Sequence, residues 1–309
     1  MDALAVILEA PERLTLRSLA LNPMADDDVM VDVAFSGIST GTEKLLWSGQ
    51  MPAFPGMGYP LVPGYESVGR VVDAGKAAHD RIGDWVFVPG ASCYRDARGL
   101  FGGTASRVSL PSRRASVVPE ALGADAILTA LAATACHAIA GGAVPDLIVG
   151  HGILGRLLAR IAVACGGTPT VWETSEKRRA GADGYAVVAP DTDERRDYRA
   201  IYDASGDSAL LDTLIGRIAK GGEVVLAGFY HAPLSFAFPP AFMREARIRV
   251  AAEWAPEDLA AITAMVASGA LRLDGLISHT RSAVEAEDAY PQAFGDPDCL
   301  KMVLDWRVQ

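Results

Sequence analysis

The chain has 309 residues, 50% hydrophobic and 21% charged, enough to bury a sizeable core and most naturally arranged as two domains. Its formal net charge of −10 excludes a surface built to neutralise nucleic-acid phosphates or anionic lipid. Cys93, Cys136, Cys165 and Cys299 are scattered without a C-x-x-C pair, which excludes a disulfide framework or a cysteine-rich zinc site and points to reduced thiols in a cytoplasmic protein.

The first nine residues lack the basic flank and the length of a signal peptide. Up to Leu110 the chain reads as short strands: Ala5–Leu8, Val29–Phe35, Ser67–Val72, Asp84–Pro89 and Ala105–Leu110. Their Gly/Pro punctuation predicts a strongly bent β domain over residues 1–127. Within it, Gln50–Pro63 has neither helical nor strand period, and loops of that length tend to be functional. The apolar stretch from Ala124 to Val144 is Ala/Gly-rich and interrupted by His137, so it reads as a core helix and not as the span of an integral membrane protein.

From Leu128 the pattern changes. A helix over Leu128–Ile139 leads into alternating elements: Leu147–Val149, Leu154–Cys165, Thr170–Glu173, Ala200–Ala204, Leu210–Ile218 and Val224–Ala227. Such alternation predicts a doubly wound parallel sheet, here over residues 128–251. The tail, 252–309, holds helices over Pro256–Ser268 and Val284–Phe294 and a strand over Lys301–Asp305, and is expected to return and complete the first domain.

The most informative stretch is Leu147-Ile148-Val149-Gly150-His151-Gly152-Ile153-Leu154-Gly155. A β-branched run enters a G-x-G-x-x-G turn that opens an apolar-periodic helix. The first glycine permits the tight turn, the second lets backbone reach a pyrophosphate, and the third lets helix and strand pack closely. Ile153 and Leu154 then bring free N–H groups of a helix start to the phosphates. Eighteen residues past Gly155, after a second short strand, Glu173 stands where an acid bonds the ribose hydroxyls of NAD and repels the extra phosphate of NADP. His151 in the turn, Arg178 beyond the acid, and Ser205 and Gly228 at later strand ends complete the expected cofactor set.

A bent β domain, an inserted dinucleotide domain and a return segment resemble the medium-chain dehydrogenase/reductase superfamily over almost the whole chain. The markers are Gly64-Tyr65-Glu66-Ser67-Val68-Gly69, Gly83-Asp84-Trp85-Val86, Thr134-Ala135-Cys136-His137-Ala138 and the closing Leu300–Asp305. The fold class this implies is α/β, a GroES-like bent β domain plus a Rossmann domain. Within the superfamily, Ser36–Lys44 and Phe54–Glu66 resemble the bacteriochlorophyllide a dehydrogenase family. That resemblance implies NAD-linked oxidation of the 3-(1-hydroxyethyl) group of a bacteriochlorophyllide-type tetrapyrrole to 3-acetyl.

The departures from the zinc alcohol dehydrogenases also matter. Ser39 stands where that family has its first cysteine ligand, Tyr65 replaces the histidine of its G-H-E motif, and the third ligand position falls near Ala130. A catalytic zinc needs about three protein ligands, so no resident metal is expected, although an improvised site from Glu43, Glu66 or His137 stays open. Oxidising an alcohol without metal still needs a base for the hydroxyl proton and a donor for the developing charge on oxygen. The candidates are Tyr65, Lys44, Glu43, Thr42 and Ser39, with Tyr65 on the substrate oxygen and Lys44 or Glu43 relaying the proton; Glu66 is expected to pair with Lys44 or Arg70. Trp47, Phe54, Met57, Tyr59, Phe229 and Tyr230 would suit a flat apolar ring, and His231 and His279 are read as loop residues near the cofactor edge. Two alternatives remain: a zinc-free NAD(P)H-dependent quinone or enone reductase, and a non-catalytic pigment carrier. A homodimer is expected through an exposed strand at Val224–Ala227 or Ile248–Ala252.

Overall fold

The computed structural model describes residues 1–53 and 55–307, so the expectation for Phe54 lies outside the described residues. The chain divides into two compact units. Unit 1 comprises residues 1–130 and the return segment from Leu273, and unit 2 comprises Leu131–Arg272.

In unit 1 a hairpin, β1 (Asp2–Ala10) and β2 (Arg13–Ala20), precedes β3 (Asp28–Ile38) and a short helix α1 (Thr42–Ser48). Then come β4 (Ser67–Ala74), β5 (Trp85–Val88), β6 (Arg107–Pro111) and β7 (Ser116–Val117). The long β3 organises the sheet: it pairs antiparallel with both β4 and β6, and its register shifts twice against β4. Those shifts bend the strand, in keeping with the bent β domain expected from the sequence. Gly69 is required there, since a Cβ on it would lie 2.0 Å from the Asp32 carbonyl oxygen.

Helix α2 (Thr129–Ala140) leads from unit 1 into unit 2. Residues 120–140 are long and apolar enough to span a membrane. However, Gly123 at φ +52° breaks the run, and Ala126, Ile127, Leu128, Ala132, Ala133 and Ala135 are buried in protein. It is a core element.

Unit 2 then runs β8 (Leu147–Val149), α3 (Ile153–Ala164), β9 (Thr170–Trp172), β10 (Ala186–Val188) and β11 (Tyr198–Asp203). It continues through α4 (Leu211–Ile215), β12 (Ile218–Leu226), α5 (Phe238–Arg244), β13 (Arg247–Val250) and α6 (Pro256–Ala267). The sheet order is β10-β9-β8-β11-β12-β13, all parallel. The direction of winding reverses between β8 and β11, the point at which open α/β sheets bind ligands. Leu147, Ile148, Ile201, Tyr202, Val224 and Val225 are fully buried, as strands covered on both faces require.

Two expectations need correction. The return to unit 1 begins at Leu273 and not at 252, because α6 belongs to unit 2. Its buried Asp258 accepts the Ala255 N–H at the helix start and meets His137 Nδ1 of α2 at 2.8 Å. Nor is Val224–Ala227 an edge: β12 is paired on both sides, and β13, with Ile248 and Val250 exposed, is the outer strand.

The return segment supplies β14 (His279–Ser282), α7 (Ala286–Gly295) and β15 (Met302–Asp305). β15 pairs antiparallel with the end of β3, matching Met302 to Ile38 and Asp305 to Phe35. The C-terminal segment is thus woven into the sheet that carries Ser36–Ile38.

Candidate active site

In unit 1 the end of β3, the turn after it and the first turn of α1 bring Ser39, Thr42 and Glu43 to the segment Gly64-Tyr65-Glu66. The Tyr65 hydroxyl donates to Ser39 Oγ at 2.7 Å and also contacts the Thr42 side chain. The Ser39 N–H donates to Glu43 Oε1 at 3.3 Å, and the Tyr290 hydroxyl of α7 donates to Glu43 Oε2 at 2.8 Å. Exposure falls along this chain of groups: Tyr65 is partly exposed, Ser39 is buried, and Glu43 and Tyr290 are at 0%.

Burial sets the protonation states. It pushes the Glu43 carboxyl up to about 8, against the Tyr290 hydrogen bond, with the nearby Glu66 charge adding to the rise and Lys301 opposing it. Burial and then the Glu66 charge hold the Tyr65 phenol far above its ordinary value. Tyr65 is therefore a permanent O–H donor, and Glu43 is a carboxyl that exchanges its proton near neutrality.

Beneath them Glu66 pairs with the Lys301 ammonium, both almost wholly buried. Neither Lys44 nor Arg70 partners Glu66, contrary to the sequence reading: Arg70 pairs with Glu120, and the exposed Lys44 donates to the Phe294 carbonyl at 3.1 Å. Lys44 thus falls outside the hydroxyl–carboxyl group. Lys301 and Tyr290 were missed because both lie in the return segment, hundreds of residues away in sequence.

Phe101 packs edge-on against Tyr65, with ring centroids 5.1 Å apart, and holds φ at +68°. A left-handed conformation is uncommon for a bulky residue. It is held by close backbone contacts: a Cβ on Gly90 would lie 2.0 Å from the Phe101 carbonyl oxygen.

Zinc of the kind found in related alcohol dehydrogenases does not fit this donor set. The two hydroxyls bond each other, Ala130 offers no donor, and no three His, Cys, Asp or Glu side chains among the described residues could hold a metal ion. His137 is committed to Asp258, and Cys93, Cys136, Cys165 and Cys299 form no disulfide among the described residues.

Unit 2 presents the glycine turn as its spacing required. Gly150 takes φ +94°, and a Cβ on Gly155 would lie 1.8 Å from the Gly150 carbonyl oxygen. Gly152 begins α3, and a Cβ there would meet nothing within 4 Å. Open space over a helix start with unpaired N–H groups at Ile153 and Leu154 is a cradle shaped for phosphate. Gly150 packs against Ser205, and Gly228 against Gly206, so the carboxyl ends of β8, β11 and β12 meet here.

Glu173 follows β9 directly. Its Oε2 accepts the His151 N–H at 3.1 Å and its Oε1 the Ser175 N–H at 2.8 Å, which fixes the carboxylate beside the glycine turn. His151 is a structural pin: Nδ1 meets the Arg178 carbonyl at 2.6 Å, and Nε2 meets the Tyr185 hydroxyl at 2.9 Å. A carbonyl can only accept, so Nδ1 carries the proton and Nε2 takes the tyrosine O–H. Burial pulls this imidazole down to about 4. The buried Arg156 ties the same segment by donating to the carbonyls of His151, Arg178 and Ala180. Arg178 is half-buried and contributes its carbonyl to this clasp.

The ring-contact candidates divide. Trp47 is packed against Tyr290 and Phe294, and Tyr59 donates to the Leu46 carbonyl. Tyr230 meets the Asp203 carbonyl, whereas Phe229 is 50% exposed. His279 opens β14 in unit 1.

The model of the alcohol dehydrogenase GroES-like domain matches residues 25–120. Together with two full-length relatives named as dehydrogenases, that match defines an oxidoreductase acting on CH–OH, of the medium-chain dehydrogenase/reductase superfamily. An Escherichia coli CFT073 alcohol dehydrogenase solved with NADH has the same fold, at TM-score 0.85 and 19% identity over 99% of each chain. Two curated proteins, each called 2-desacetyl-2-hydroxyethyl bacteriochlorophyllide A dehydrogenase, are far more similar. The Cereibacter sphaeroides protein is 59% identical over 100% of this chain and 99% of its own length, and the Rhodobacter capsulatus protein 57% identical over 99% of each. This chain belongs to the bacteriochlorophyllide dehydrogenase family.

Proposed function

We propose that this enzyme oxidises the 3-(1-hydroxyethyl) group of a bacteriochlorophyllide to 3-acetyl, with NAD and without a catalytic zinc. The observation that carries the chemistry is the bonded Tyr65–Ser39 hydroxyl pair at the turn whose Ser39 backbone N–H holds the buried Glu43. The substrate class is supported by the full-length identity to the named relatives.

Gly150, Gly152 and the first turn of α3 would hold the pyrophosphate, and Glu173 the adenosine ribose. A fixed carboxylate at that position supports NAD over NADP. When bound, the cofactor would supply the hydride acceptor for the carbinol carbon. Tyr65 donates a hydrogen bond to the substrate oxygen, and Glu43, held through the Ser39 backbone N–H, is the acceptor for the hydroxyl proton. A carboxyl at about 8 is well matched to that acceptor role near neutral pH. Phe101, beside Tyr65 and partly exposed, offers a ring face to the macrocycle.

The test is an absorbance assay with metal-analysed protein, NAD and a 3-(1-hydroxyethyl) bacteriochlorophyllide. A red-shifted acetyl product appearing with NADH, from zinc-free protein, is the expected result. Turnover that requires stoichiometric zinc refutes the zinc-free part. Activity with NADPH and quinones in place of the pigment refutes the substrate.

The same family reading includes a homodimer formed through β13, supported by the exposed Ile248 and Val250 on the outer strand beside the exposed Phe238, Phe242 and Met243. Such unpaired apolar edges are covered in stable proteins. Sedimentation of a monomer at micromolar concentration would remove it.

A further inference from the structure

Tyr290 is a fully buried phenol whose hydroxyl ends on Glu43 Oε2, although 247 residues separate the two. Its ring is collared by Trp47 at 6.4 Å and by Phe294, edge-on at 5.7 Å, so the hydroxyl has a fixed heading. The groups acting on Glu43 come from every neighbouring element: Ser39 N–H, Glu66 before β4, Lys301 before β15, and Tyr290 from α7. Tyr290 supplies the one side-chain hydrogen bond among those influences on the carboxylate. The Thr104 side chain, whose buried Oγ1 has no aligned hydrogen bond among the described residues, is within reach of the same phenol.

We propose that Tyr290 is a positioning residue for the oxidation, holding Glu43 in its proton-accepting form and turning to Thr104 once Glu43 has taken the proton. This rests on the reading of Glu43 as acceptor given above. In the ionised state the Tyr290 O–H donates to Oε2. After uptake the Glu43 O–H donates to the Tyr290 oxygen, and the phenol proton swings to Thr104 Oγ1. No covalent bond between heavy atoms changes, and the only proton gained is the one the substrate hydroxyl gives up.

The experiment is the pH dependence of kcat for pigment oxidation in the wild type, Glu43→Gln and Tyr290→Phe, with an infrared titration of the buried carboxyl, assigned by its absence from Glu43→Gln. The wild-type rate is expected to rise with a midpoint near 8. Glu43→Gln is expected to lose that limb. Tyr290→Phe keeps the aromatic packing and deletes one hydrogen bond to the charged form, so rate and infrared midpoints both move up by about 1–2 pH units, with KM for NAD unchanged. A limb that survives in Glu43→Gln overturns the acceptor reading itself. A limb lost in Glu43→Gln with both midpoints unmoved in Tyr290→Phe overturns only the role of Tyr290.

Discussion

Lys301→Met is the sharpest test of how unit 1 is held together. The Lys301 and Glu66 side chains are 2% and 0% exposed and form an ion pair. Gly37 lies over both: a Cβ there would stand 2.5 Å from Glu66 Oε2 and 2.9 Å from Lys301 Cε. Water cannot take the place of a lost partner in so closed a space. Removing one member of a buried pair costs about 3–5 kcal/mol, a large part of the roughly 5–15 kcal/mol of a typical domain. At roughly 2–4 °C per kcal/mol for a unit of this size, Tm should fall by roughly 6–20 °C. Adding Glu66→Leu should recover most of that loss, to within about 1 kcal/mol of wild type, because two packed apolar side chains carry no stranded charge. Scanning calorimetry and urea titration of the wild type, both single variants and the double variant measure it. A single variant costing under about 1 kcal/mol, or a double variant no better than the single, would refute the argument.

Replacing the two glycines of the turn should separate fold from ligand. Gly155→Ala strikes the Gly150 carbonyl and should destabilise unit 2 by about 1–3 kcal/mol, whereas Gly152→Ala meets open space and should leave Tm unchanged while weakening NAD binding, read by calorimetry. Tyr65→Phe should lower kcat by about 100-fold or more with NAD affinity unchanged, as loss of a donor to the developing oxyanion predicts; equal turnover removes Tyr65 from the mechanism. Stability should also carry two opposed pH signatures. Glu43, raised to about 8, binds its proton more tightly folded than unfolded, so its contribution is full below the unfolded value of 4.5 and is lost as pH rises toward 8; Glu43→Gln should flatten that decline in urea titrations. His151, lowered to about 4, contributes above its ordinary 6.5 and loses that contribution as pH falls toward 4, a limb that His151→Asn should abolish.

The dinucleotide half was readable because its signals are local. Leu147–Val149, the three glycines and Glu173 lie within one strand–turn–helix–strand unit, and backbone sterics force each glycine. Strand β10 went unread because Ala186-Val187-Val188 is too short to show a period, and α1 because a seven-residue helix behind Gly41 has none either. The hydroxyl side of the site was legible through Ser39, Thr42, Glu43 and Tyr65, which occupy two neighbouring turns. Its polar counterparts were not. Nothing in the spacing of Glu66 or Glu43 points to Lys301 or Tyr290, because those pairings are made by the register of β15 on β3 and by the seating of α7. Lys44 was misplaced for a related reason: position three of a short helix turns it outward, to a carbonyl at the end of α7.

Because β15 and α7 come from the last residues of the chain, the buried carboxylates of the first unit have no cation and no phenol while the ribosome is still making the second. Glu43 and Glu66 cannot be buried cheaply in that interval, so the N-terminal segment is held back from premature closure by its own charge. The second unit, contiguous in sequence, carries no such debt and can form as it emerges. The pairings of Glu43 with Tyr290 and of Glu66 with Lys301 can form only after the second unit has been made, and a polypeptide stopped short of Tyr290 is expected to leave both carboxylates without those partners.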